Sequence, residues 1–160
     1  MKKLFLILIV VIAFSSGAFA QRHSTPYAGI GVTTNFRNAA EGRTGPAFTL
    51  GFRNYNRNSF ISFAVGAEAF GYVIPSQQTT MGIFGIPEIG VAIGPSVFKV
   101  YPHSGFMLGY DSANTAFGWG GKEGLAFEFG RHVTIDFSTY VPRYRFSEAL
   151  YAVNFIWRFF

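Results

Sequence analysis

Apolar and polar residues alternate along most of this chain. At the C-terminus Tyr151, Val153, Phe155, Trp157 and Phe159 share one parity, and Ala152, Asn154, Ile156, Arg158 and Phe160 share the other. Successive side chains of a strand point to opposite faces, so this segment predicts a strand with one wholly apolar, largely aromatic face. A helix would spread the same residues around its circumference. The pattern recurs in Ala28, Ile30, Val32; in Phe48, Leu50, Phe52; in Ile61, Phe63, Val65; and in Met81, Ile83, Ile89, Val91, Ile93. It returns in Leu125, Phe127, Phe129 and in Val133, Ile135, Phe137, and a short strand, Gly105 to Tyr110, completes a set of eight.

Turn residues fall between these segments. Asn54 to Ser59 and Gly130-Arg131-His132 read as tight, polar connections, while 37–45, 74–80, 111–118 and 142–149 read as longer ones. Eight strands of about ten residues would use roughly 80–90 positions and leave room for seven connections; ten strands would need unusually tight ones. The segment 85–104 is ambiguous. Pro87 interrupts a strand pattern, and Gly94-Pro95 competes with Tyr101-Pro102 for the turn.

Parity alone does not say which face is inside. In a soluble sandwich or lipocalin-like barrel binding an apolar ligand, the apolar parity faces a core or cavity. In a membrane barrel it faces lipid, and small and polar residues line the interior. The polar parity here is rich in Gly, Ala, Ser and Thr rather than the Lys and Glu that cover soluble sheets. Its charges stand singly and in both signs: Arg53, Glu68, Glu88, Lys122, Glu128, Asp136 and Arg158. These features predict an all-β, antiparallel, up-and-down transmembrane barrel with those seven side chains inside.

The N-terminus fits that location. Lys2-Lys3, the apolar run Leu4 to Phe14 and Ala18-Phe19-Ala20 form a secretory signal, which predicts cleavage before Gln21 and a single barrel domain over 21–160. The run would rise only about 16 Å as a helix, half of a ~30 Å hydrocarbon core, so it is too short for an anchor. The absence of cysteine excludes a lipid-modified N-terminus, disulfides and a Cys-based zinc site. Twenty Phe, eight Tyr and low charge exclude disorder. Scattered basic residues, without a concentrated patch, argue against nucleic acid.

With its signal, its amphipathic strands, the run Phe117 to Gly124 (Phe-Gly-Trp-Gly-Gly-Lys-Glu-Gly) and its terminal Phe, the chain resembles the small, porin-like outer-membrane β-barrels of double-membraned bacteria. The resemblance implies residence in the cell outer membrane, contact with its lipid and lipopolysaccharide, and insertion by the barrel-assembly machinery. It also implies a C-terminal assembly signal, here Phe155, Trp157, Phe159 and Phe160. The aromatic parity ends at Phe159, whereas the family keeps apolar residues in step with the final Phe; Arg158 and Asn154 hold those positions.

Candidate chemistry is sparse. Gly120-Gly121-Lys122 lacks the remainder of a phosphate-binding loop, with Ala116 and Glu123 at the key positions. Some barrels of this family hydrolyse or transfer acyl chains of lipid A, which directs attention to His103-Ser104, with Glu88 or Asp111 as possible acids. That pair reads as part of a Pro-containing periplasmic turn, away from such substrates. His23 and His132 have no metal-ligand spacing. The expectation is therefore a structural or interaction protein without catalysis or cofactor, its interior plugged by the seven charges. The alternatives are a lipid A-modifying barrel, a small pore and the secreted binder. Arg37, Arg43, Arg143 and Arg145, in the long loops, are candidates for lipopolysaccharide phosphates.

Overall fold

The structure, a computed structural model, describes residues 24–35, 43–75, 79–112, 116–143 and 145–159. The proposed signal, His23, Arg37 and Phe160 lie outside them. Eight strands, β1 Ser24–Asn35, β2 Arg43–Asn54, β3 Ile61–Ile74, β4 Thr80–Ile93, β5 Phe98–Asp111, β6 Ala116–Phe129, β7 Val133–Pro142 and β8 Leu150–Arg158, follow one another around a closed barrel. Every neighbouring pair is antiparallel, and β8 closes on β1 from Tyr27↔Arg158 to Thr34↔Tyr151. Closure leaves no unpaired edge.

The outward face carries the apolar parity. Phe63 is 82% exposed and Phe117 74%, with Ile30, Leu50, Ile83 and Ile89 also bare. In β8, Tyr151, Val153, Phe155 and Trp157, and Phe159 just beyond it, face outward while Asn154 and Arg158 are buried. The outward aromatic row thus ends at Phe159.

Two expectations are corrected. First, β5 is a full strand that begins at Phe98, and both Pro87 and Pro102 sit within strands. The turn forms instead at 94–97, where Gly94 takes φ +130°, a conformation suited to glycine, and its N–H donates to Phe60 O at 2.8 Å. Because β5 and β6 run on to Asp111 and from Ala116, connection 112–115, expected as a long one over 111–118, is shorter than 55–60.

Second, the interior is only partly small and polar. At the end bearing connections 75–79 and 112–115, Phe70, Tyr72, Phe84, Ile86, Met107, Tyr140 and Leu150 form a buried apolar cluster. The Phe70 and Tyr140 rings stack at 3.8 Å. These strands are therefore apolar on both faces at that end. The charges gather in the middle and toward the end with turns 55–60, 94–97 and 130–132.

Candidate functional site

Inside the barrel, the alternating parity of six strands aims charged side chains at one axis. Arg53, Glu68, Glu88, Lys122, Glu128, Asp136 and Arg158 are all buried. Lys122 Nζ donates to Glu68 Oε1 at 2.9 Å and to Glu88 Oε2 at 3.1 Å, with Asp136 Oδ2 at 3.8 Å. Arg53 bridges Glu128 Oε1 at 2.6 Å and Glu88 Oε1 at 3.3 Å, and its guanidinium lies 3.8 Å from the centre of the Tyr101 ring. Arg158 Nη1 reaches Glu128 Oε2 at 2.8 Å, and its other terminal nitrogen donates to Gly130 O. The Tyr27 and Tyr140 hydroxyls donate to Glu68, each at 3.1 Å. Tyr55, from the 55–60 turn, donates to Glu128 and accepts from Arg158. Burial, reinforced by the Glu128 carboxylate, pushes the Tyr55 phenol up to about 12. Such a network satisfies charges that would be costly alone in a desolvated interior.

Three interior groups were missed by the sequence reading. His103 Nε2 hydrogen-bonds to Asp136 Oδ1, which accepts at 3.0 Å, and its Nδ1 stands 3.6 Å from Glu88 Oε2. Lys99 Nζ donates to Ser59 O and Gly94 O at 2.6 and 2.7 Å, and Asp111 accepts from Tyr72 at 3.0 Å. All three share the odd parity of β5. Starting that strand at Gly105 hid the two that precede it.

The other candidate lies on the outside. Ser104 stands midway along β5 rather than in a turn, and being next to His103 it points through the opposite face. Its Oγ donates to Glu123 Oε1 at 2.8 Å across the β5–β6 pair. Thr139 is the next residue in the same row, paired with Glu123 from β7. This short polar row crosses an otherwise apolar wall. It borders a shallow groove of about 550 Å³ lined by Ile89, Val91, Pro102, Ser104, Glu123, Phe137 and Thr139. His103 also borders the groove, because Gly90 and Gly124 flank it on neighbouring strands. A Cβ on Gly124 would meet His103 Cε1 at 2.3 Å, so the imidazole fills the space that a side chain there would need.

The sequence pair His103-Ser104 is thus divided by the barrel wall. His103 belongs to the interior network with Glu88 and Asp136, and Ser104 faces Glu123 outside. Of the two acids weighed for His103, Glu88 is near, whereas Asp111 lies at the far end of β5. His132 stays in the 130–132 turn, where its ring stacks on Trp157 at 5.2 Å.

No protein-family description and no curated protein matches the sequence. Among solved structures, the fold is similar to that of the outer membrane enzyme PagL, with a TM-score of 0.56 over 84% of this chain and 97% of that one. At 8% identity the likeness extends to the fold alone. The expectation of no catalysis is corrected: it rested on placing His103-Ser104 in a periplasmic turn, whereas this fold serves an enzyme in PagL. Ser104, hydrogen-bonded to Glu123, stands within β5 on the outer wall instead of in a turn.

Proposed function

We propose that this protein is an integral outer-membrane barrel that cleaves or transfers an acyl group of a membrane lipid at its outward wall. Strands of 9 to 14 residues with a continuous apolar outer face suit a bilayer. In that setting, turns 55–60, 94–97 and 130–132 lie on the periplasmic side, and lipid and lipopolysaccharide are the molecules that reach the wall. Insertion by the barrel-assembly machinery belongs to the same reading.

The observation that carries the reading is the Ser104–Glu123 hydrogen bond at mid-height on the lipid-facing wall. A carboxylate facing hydrocarbon is costly, and ionisable groups there generally serve function. The pair has the elements of a nucleophile with its base. Ser104 Oγ would bond to an ester carbonyl carbon as its proton passes to Glu123. Collapse of the adduct breaks the ester C–O bond, and the departing alkoxide takes that proton. Water, or a second alcohol, then attacks the acyl-serine with Glu123 again receiving the proton, and the serine is restored. His103 takes no part, because its imidazole is buried in the interior and held by Asp136.

The test is mass spectrometry of lipopolysaccharide and phospholipid from cells with and without the gene. The expected result is a changed acyl pattern that Ser104→Ala and Glu123→Gln each abolish while the folded barrel is retained. Identical acyl patterns in all strains would overturn the reading. The interior network, in this proposal, is a plug that holds the barrel shape, not a conducting path.

A further inference from the structure

Seven of the eight strand pairs are joined rung by rung without a break, but the β4–β5 pair is not. Its register runs from Gly82↔Asp111 to Gly85↔Leu108, resumes over Glu88↔Gly105, Ile89↔Ser104 and Gly90↔His103, and resumes again at Ile93↔Val100. The two interruptions fall at Pro87 and Pro102. A strand residue presents its N–H and C=O to the same neighbour. A Cβ on Gly105 would stand 2.9 Å from Pro87 O, and one on Gly90 would stand 2.6 Å from Pro102 O. Each proline therefore turns its polar backbone edge, and with it the missing donor, toward this one seam. Both rings face outward.

The chemistry on the two sides of the interruption at Pro87 is alike. Outside lie Pro87, Ile89 and Phe106. Directly inside lie Ile86 and Met107, the edge of the apolar cluster that includes Phe84 and Phe70. The charges begin one rung further down, at Glu88. An opening here would join hydrocarbon to hydrocarbon, which suits an alkyl chain and disfavours an ion. Met107, unbranched and flexible, is the side chain best able to swing aside. Ser104 sits on the three-rung patch between the two interruptions.

From these observations we infer that the β4–β5 seam parts at Pro87 to admit one acyl chain of a membrane lipid toward Ile86 and Met107. This extends the proposed function by naming how the acyl tail is held beside Ser104, and it rests on that reading for its purpose though not for its test. Strand separation at a seam short of two donors is local opening, confined to the least-bonded part of the wall.

The experiment uses the full barrel in phosphatidylethanolamine vesicles containing a phospholipid with a photoactivatable diazirine at its acyl terminus, with adducts mapped by mass spectrometry. The expected result is labelling of Ile86, Met107 or Phe84 besides the outward residues. Restoring both donors with Pro87→Ala/Pro102→Ala should reduce the inward labelling at least fivefold. So should a short thiol crosslink in Pro87→Cys/Phe106→Cys, a clean pair in a chain without cysteine. Labelling confined to outward residues, or inward labelling that neither change reduces, would overturn the inference. Ser104→Ala should label as the native chain does, so loss of acyl chemistry and loss of acyl admission are read separately.

Discussion

Arg53 and Glu128 stand 75 residues apart in sequence and 2.6 Å apart inside the barrel, near the end with turns 55–60 and 130–132. The contact joins β2 to β6 across the lumen, and Glu88 and Arg158 extend it to two further strands. Removing one partner of a buried pair typically costs about 3–5 kcal/mol, because the other charge is left desolvated. Arg53→Met and Glu128→Gln should each lower the denaturant midpoint in detergent. Arg53→Met/Glu128→Gln should cost less than the two single changes together, and an additive loss would show that the pair is not coupled. In planar bilayers the native barrel should give no stable, charge-selective conductance.

Glu123 should trade stability against activity. Glu123→Leu removes a charge from the lipid-facing wall, so its unfolding midpoint in lipid should equal or exceed that of the native chain. The same variant should lose acyl chemistry by 10²-fold or more, the usual scale for a general base. A large drop in midpoint would assign Glu123 a packing role instead.

Gly124 should not tolerate a methyl group. The added Cβ would press on the His103 ring, which Tyr101 stacks against at 4.9 Å and Asp136 holds at 3.0 Å. Gly124→Ala should therefore destabilise by about 1–3 kcal/mol, the range of overpacking. Gly85→Ala is the control, because its Cβ would meet nothing closer than Leu108 O at 3.8 Å. Chemical denaturation of both variants gives the comparison.

Tyr55 should set a limit on alkaline stability. Its phenol titrates near 12 in the folded barrel against about 10 when exposed, a raised value. The stabilisation it contributes is full below pH 10 and is lost as pH rises through 12. The stability gap between the native chain and Tyr55→Phe should narrow across that window. A gap independent of pH would show that the phenolic proton is not what Glu128 requires.

Much of this architecture was legible in local pattern. A pleated strand alternates its faces whatever surrounds it, so parity alone assigned Tyr151, Phe155 and Trp157 to one side and Asn154 and Arg158 to the other. The same rule placed seven charges on the inward parity before any contact was known. Parity reports only a direction, however. Which acid meets which base depends on stagger between strands distant in sequence, and no local feature links Lys122 to Glu68 or Arg53 to Glu128. The divided fate of His103 and Ser104 follows from the same alternation, but only once β5 is known to begin at Phe98. Proline suggested a break there, since it lacks a donor. The closed barrel retains Pro87 and Pro102 because their other neighbours, β3 and β6, pair without interruption and hold both strands in place. Tertiary closure decided that point, because a rung lost on one side of a strand can be offset by a complete ladder on the other.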